Sequence, residues 1–341
     1  MRTLITGLAL ALFTSAALAQ VPGLSNAEVE DATSFSNPAK AVQKTGSGWV
    51  AMELPAIEGT HSPCCWQGNW SSKREIGCNL DKDHHSYGST SESPLEDSII
   101  VYARAEKGQV DKLRIMGAQC PVDAGGQQLT WIGETDDDDT LEWLQSLAGS
   151  KPERVAHASL WAIALHASNK AGDHLYSLAR EADRKLAGEA IFWLGEARGQ
   201  DGYEKLEGLL DELPTGKTRR QINFALSQNS SEQAVELLSD IARNDKDEKQ
   251  RGDALFWLAE EQPELAEELI VEIIETERDK EVLEKAVFAM SQLPAETSGP
   301  ALLALAQDKN APREARRQAL FWLSHSDHEE SVTALTELLT K

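Results

Sequence analysis

Basic side chains are scarce: 33 Lys and Arg stand against 56 Asp and Glu in a chain of 341 residues. A surface of that sign repels phosphate backbones and anionic lipid, which argues against nucleic acid or a membrane surface as partner. The acidity reads as a heavily solvated surface, or as attraction toward a basic partner or divalent cations. Cysteine is absent after Cys120, so any covalent tether is confined to the first 120 residues. Long hydrophobic runs are missing too. Nothing after residue 20 approaches the roughly 20 apolar residues that span a bilayer. There is no G-x-S-x-G, no phosphate-cradling Gly-rich loop, no H-E-x-x-H and no Cys-x-x-Cys-His. The expectation is a protein that is not an enzyme and carries no cofactor.

The N-terminus runs from Met1-Arg2 through Leu8-Ala-Leu-Ala-Leu-Phe13 to Ala17-Leu18-Ala19. A charged start, a short apolar core and an A-x-A-like end read as a secretory leader over residues 1–19; a retained anchor is the alternative, with a stretch too short to span. Removing Arg2 leaves 32 basic against 56 acidic side chains, a charge of −24. An exported chain meets oxidising conditions, so Cys64, Cys65, Cys78 and Cys120 are expected in two disulfides. Adjacent Cys64 and Cys65 would strain a mutual bridge. Each is therefore expected to reach Cys78 or Cys120 separately, with the pairing open and free or metal-bound thiols as the alternative.

Residues 20–46 lack periodicity and read as a flexible lead-in. Residues 47–150 read as a small β-rich domain with a terminal helix. Strand signals fall at 49–54, 98–103, 110–116 and 129–132, and Glu106-Lys-Gly108 marks a hairpin, so a small antiparallel sheet is expected. A polar excursion from Gly59 to Glu96 holds three cysteines and needs a tether. Gly125-Gly126 reads as a hairpin turn. Within the excursion Cys78, Asp81, Asp83, His84 and His85 could hold a metal, but adjacent histidines rarely share one ion and Cys78 is wanted for a bridge, so a solvated loop is the plainer reading. Asp136-Asp-Asp-Asp139 reads as the acidic start of a helix; the run lacks the alternating acids and central Gly of a calcium loop.

From 151 to 341 one phrase recurs: Ala190-Ile-Phe-Trp-Leu194, Ile222-Asn-Phe-Ala-Leu226, Ala254-Leu-Phe-Trp-Leu258, Ala286-Val-Phe-Ala-Met290 and Ala319-Leu-Phe-Trp-Leu323. Its Phe falls at 192, 224, 256, 288 and 321, a period of 32 or 33, and a degenerate copy surrounds Ile163. A second helix follows each phrase, with apolar steps of three and four such as Ala234, Leu237, Leu238 and Ile241. This predicts a mainly α protein, an α-solenoid of about six helix pairs whose units stack into one core. The final row Val332, Leu335, Leu338 and Leu339 has no later helix to cover it, which leaves oligomerisation an open question.

The 32-residue unit, with Arg219, Arg251 and Arg316 before its first helix and an Ala-x-x-x-Leu core step, resembles the short HEAT-like repeats of the kind found in phycobilin lyases. The N-terminal module, with Cys64-Cys-Trp66, Gly77-Cys-Asn-Leu80 and Cys120-Pro-Val, resembles the front end of exported bacterial HEAT-repeat proteins. These resemblances imply a helical scaffold in a bacterial envelope, periplasmic or secreted. They imply no activity.

One position after the Phe stand Trp193, Ala225, Trp257, Ala289 and Trp322. Either the large and small side chains interdigitate between helices, or the Trp residues form an aromatic ladder on the concave face with Glu196 and Glu260 beside it. A ladder would suit a basic or Pro-rich segment of a protein partner. The expected function is a non-catalytic interaction scaffold. The alternatives are a ligand- or metal-sensing accessory protein, in which the β module binds and the solenoid relays, and an enzyme with an unrecognised site in the β domain.

Overall fold

The computed structural model describes residues 21–69, 72–82, 87–90, 92–181 and 184–325. The expected leader, Asp83, His84, His85 and the row Val332 to Leu339 lie outside the described residues. The chain forms two compact units, divided between Asp136 and Asp137.

The first unit contains β1 (Leu24–Asp31), α1 (Pro38–Thr45), β2 (Gly48–Pro55), β3 (Cys64–Asn69), β4 (Ser72–Glu75), β5 (Cys78–Asn79), β6 (Tyr87–Gly88), β7 (Ser98–Glu106), β8 (Gln109–Gly117) and β9 (Val122–Glu134). Its main sheet runs β1-β9-β2-β7-β8, with β5 also on β9, and β4-β3-β6 forms a smaller sheet. The expected purely antiparallel sheet is corrected to a mixed one. β9 lies parallel to β1, β2 and β5, while β2, β7 and β8 are antiparallel. On β2, Trp49, Val50, Ala51, Met52 and Leu54 are all buried, so both faces are covered and both edges need a partner. β7 supplies one and β9 the other.

The lead-in is also corrected. β1 is paired with β9 from Leu24 opposite Val122 to Asp31 opposite Trp131, and α1 is capped by Asn37, whose side chain accepts from the Lys40 N–H at 3.0 Å. β1 is an edge strand with Ser25, Asn26, Glu28, Glu30 and Asp31 exposed. Only Leu24, Ala27 and Val29 pack toward the core, so its composition hides a strand held by backbone hydrogen bonds.

The hairpin falls where expected. Lys107 and Gly108 take positive φ, 54° and 76°, in the two-residue link between β7 and β8. Gly125-Gly126 is not a hairpin turn. It lies inside β9, where one β1 residue, Asn26, faces three between Asp123 and Gln127. The extra residues bulge out, and φ values of 67° and 79° require glycine there. The Asp123 carboxylate accepts from Gly125 N–H at 2.8 Å and from Asn26 Nδ2 at 2.9 Å, which holds its pKa below the ordinary range.

The second unit is a run of helices: α2 (Asp137–Leu147), α3 (Glu153–Leu165), α4 (Lys170–Glu181), α5 (Arg184–Ala197), α6 (Gly199–Glu212), α7 (Lys217–Ser227), α8 (Glu232–Asn244), α9 (Glu248–Glu261), α10 (Pro263–Thr276), α11 (Lys280–Gln292), α12 (Ala295–Gln307) and α13 (Arg313–Ser324). The odd-numbered helices carry the phrase, and each packs on the next odd-numbered one; the even-numbered helices pack against them from a second layer. The helix expected to close the β-rich domain is α2, and it packs on α3 and α4 instead, completing the first pair. Asp137, Asp138 and Asp139 occupy its first turn, and Asp138 pairs with Lys170 at 2.6 Å.

Ala190, Ile191 and Leu194, then Ala254, Leu255 and Leu258, are fully buried between the layers. Polar staples join successive repeats through the backbone. Arg198 donates to His166 O at 2.7 Å and Ser168 O at 3.1 Å, and Asn229 Nδ2 donates to Gly199 O at 2.9 Å. Arg219, Arg251 and Arg316 lie inside the first turns of α7, α9 and α13, not ahead of them. There Arg219 reaches Asp245 at 2.7 Å, and Arg251 reaches Glu277. Leu265, at 39% exposure, departs from the otherwise buried stripe of α10.

His166 is buried at the C-terminal cap of α3, where Nδ1 accepts from Ser168 N–H at 3.1 Å. Burial pushes its pKa down; Asp137, 3.7 Å from Nε2, opposes that shift, and Arg198 and His174 add to it. The native state thus keeps a neutral ring that the unfolded chain protonates near pH 6.5. Stability is full above that pH and is lost as pH falls toward the native value. We expect the thermal midpoint to fall between about pH 7.5 and 5, and His166→Gln to flatten the fall. Some slope should survive from His174, which burial shifts the same way with a contribution from Lys170, against the opposing charges of Glu142, Asp173 and Asp138. A variant whose midpoint depends on pH as steeply as the parent's would refute this assignment.

Candidate functional site: an aromatic ladder on the repeat helices

The phrase Phe is not the buried step that its regularity implies. Phe192, Phe224, Phe256 and Phe288 are half-buried and Phe321 is 46% exposed, whereas Ala225 and Ala289 are wholly buried. Helical geometry accounts for this. With Ala190 and Leu194 facing the second layer, the intervening Phe192-Trp193 turns to the flank of the helix.

The rings form one continuous series. Trp193 stacks on Trp161 of α3 with centroids 6.2 Å apart and planes 10° from parallel, and meets Phe192 edge-on at 4.9 Å. Phe192 stacks on Phe224 at 5.9 Å, and Phe224 meets Trp257 at 4.5 Å. The pattern then repeats: Trp257 to Phe256 at 4.9 Å, Phe256 to Phe288 at 5.7 Å, and Phe288 to Trp322 at 5.1 Å. Phe321 and His325 end it, 4.3 Å apart.

The two readings of the Trp/Ala alternation therefore merge. Trp257 and Trp322 each reach back to the Phe of the preceding repeat, whose next residue is the small Ala225 or Ala289. The alternation fills space and lines up a ladder at once. Edge-to-face and offset pairs of this kind contribute about 0.5–1.5 kcal/mol each beyond burial.

The charged rows beside the ladder differ. Three residues before the Phe, Glu189 meets His157, and Asp253 lies 3.3 Å from Arg220 and 3.9 Å from Lys285. Burial pushes the Asp253 pKa up, and the Lys285 and Arg220 charges oppose it. Four residues after the Phe stand Glu196 and Glu260, both exposed, which form no ion pair or hydrogen bond with the described residues. One border of the ladder is neutralised across neighbouring helices; the other carries free negative charge. The exposure of the Phe row was not anticipated, although the two-residue width of the Phe-Trp step was a signal that one apolar stripe cannot bury both.

In the first unit the cysteines form the bridges Cys64–Cys120 and Cys65–Cys78. Cys78 is thereby engaged. Asp81 pairs with Arg104 at 3.2 Å, and its carbonyl accepts from Lys112. With these two committed, the metal reading of the excursion loses its first ligands.

No protein-family model matches the chain, and no curated protein matches it. Among solved structures it is similar to the complex of CpcE and CpcF of phycocyanin lyase from Nostoc sp. PCC7120, with 18% identity over 46% of this chain and 99% of that one and a TM-score of 0.35. It is similar also to human deoxyhypusine hydroxylase in complex with glycerol, with 12% identity over 58% and 88% and a TM-score of 0.28. Kap121p matches with 12% identity over 55% of this chain and 25% of that one, at a TM-score of 0.34. The fold is a mixed β-sheet unit with two disulfides, followed by a HEAT-like helical array. No helix among the described residues is long and apolar enough to cross a membrane.

Proposed function

We propose that this protein is a non-catalytic interaction scaffold of the bacterial envelope, and that its repeat unit holds a basic, Pro-containing segment of a protein partner along the aromatic ladder. The ladder itself carries the reading: rings left half-exposed on the odd-numbered helices of consecutive repeats, bordered by the unpaired carboxylates Glu196 and Glu260. Proline rings dock on aromatic surfaces in the extended polyproline conformation, and Arg or Lys gains both from ring faces and from nearby acids. The two disulfides fit an oxidising compartment.

The test is titration of the full chain with an Arg/Pro repeat peptide and with its Glu/Pro counterpart. Binding should be selective for the cationic peptide and should weaken with added salt. The double variant Glu196→Gln/Glu260→Gln should lose about tenfold in affinity at low salt with an unchanged melting temperature, since both side chains are exposed. Equal binding of the two peptides, or of neither, would leave the ladder without this role.

A further inference from the structure

The two disulfides lie against one another. Cys64 and Cys65 are consecutive on β3, and their partners sit on neighbouring backbone: Cys78 opens β5 opposite Val122, two residues after Cys120. The Cys78 N–H donates to Pro121 O at 2.8 Å, so the main chain holds Cys78 beside Cys120 without help from sulfur. Cys120 Sγ is 4.0 Å from Cys78 Sγ, and the sulfurs of Cys64, Cys78 and Cys120 lie within 4.8 Å of one another. All four residues belong to the buried core, yet a cavity of about 330 Å³ opens against Cys64 and Cys65, bordered by Trp66, Gly88, Ser93 and Pro94.

Disulfides exchange when a thiolate attacks one sulfur and the other leaves. We propose that the four cysteines form a single exchange unit, which accepts two electrons from a small dithiol and passes the surviving bridge inward to Cys78–Cys120. A thiolate of the reductant enters the cavity and attacks Cys65 Sγ. The Cys65–Cys78 bond breaks and Cys78 departs as thiolate. Cys78 then attacks Cys120 Sγ, forming the Cys78–Cys120 bond and releasing Cys64. The second thiol of the reductant displaces Cys65 from the mixed disulfide. The reductant leaves as its own disulfide, two electrons poorer, and its two protons end on Cys64 and Cys65.

The product ties β5 directly to Cys120, two residues before β9, so the main sheet retains a covalent link. It leaves an adjacent dithiol, Cys64-Cys65, bordering the cavity, able to reduce another disulfide by the reverse sequence. Exchange between the bridges thus places the reactive thiols beside the cavity, whose lining includes Cys64 and Cys65 but neither Cys78 nor Cys120.

The full-length protein is treated under native conditions with one equivalent of dithiothreitol, alkylated and digested without further reduction. Alkyl groups on both Cys64 and Cys65, together with a Cys78–Cys120 cross-linked peptide, are expected. Label on Cys65 and Cys78 with Cys64–Cys120 intact, label on all four, or no label would each overturn the proposal. Independently, Cys65→Ser, produced under oxidising conditions, leaves Cys78 without its partner. Peptide mapping should then find Cys78–Cys120 and Cys64–Cys120 in comparable amounts, whereas a Cys78 thiol that is free in every molecule would count against exchange. If that variant does not fold, the reduction of the native chain decides alone.

Discussion

Gly195→Ala should destabilise the helical unit by about 3 kcal/mol, at the upper end of the usual penalty for overpacking. A Cβ on Gly195 in α5 would stand 2.1 Å from Ala225 O and 2.7 Å from the Ala225 Cα and C. These are backbone atoms of α7, so no side-chain rotation can relieve the clash, and the two helices must separate. Intrinsic helix propensity favours alanine over glycine by about 1 kcal/mol, which makes the sign of the effect decisive. The equivalent residues in later repeats are Ser227, Ala259, Ser291 and Ser324, so the close approach belongs to this one junction. It is also where Phe192 stacks on Phe224, and widening it would interrupt the ladder. Denaturant unfolding followed by helical circular dichroism measures the change; a variant as stable as the parent or more so would show that propensity governs the site.

Asp245→Ala should cost about 3–5 kcal/mol, because it leaves the Arg219 guanidinium buried without its counter-charge. The two side chains are 7% and 9% exposed, and Arg219 Nε also donates to Leu210 O at 2.9 Å. Asp245 in addition accepts from the Asp247 N–H at 2.9 Å in the turn after α8, a bond that Asp245→Asn can keep. The double variant Arg219→Met/Asp245→Leu removes both charges together and should recover much of the loss. A double variant that is no more stable than Asp245→Ala would show that the damage comes from the turn and not from the orphaned charge.

Legibility differed sharply between the two units. The helical repeat was readable because each helix announces its buried face every three to four residues, and each unit packs on its immediate neighbours. The acidic start of α2 and the Lys107-Gly108 turn were readable for the same reason, being local chemistry. That α2 belongs with α3 was not, since an amphipathic helix declares that it has a partner but not which one. β1 was concealed because only Leu24, Ala27 and Val29 pack toward the core, and its stability comes largely from backbone bonds to β9, a strand distant in sequence. The bulge at Gly125-Gly126 mimicked a turn because both need positive φ. Nor could the order of rings along the ladder be read, as stacking depends on how closely successive helices approach.

By itself, then, the sequence determined a 32-residue helical repeat, an acidic surface and a cysteine-bearing β module, all of them consequences of short-range periodicity and composition. Only the tertiary structure decided which cysteine meets which, how β9 enters the sheet, and that the Phe row stays half-open to solvent while its Ala and Leu neighbours are buried. Those outcomes are set by contacts between distant segments, where hydrogen-bonded main chain and the spacing of packed helices choose the partner, and neither leaves a pattern in the order of side chains.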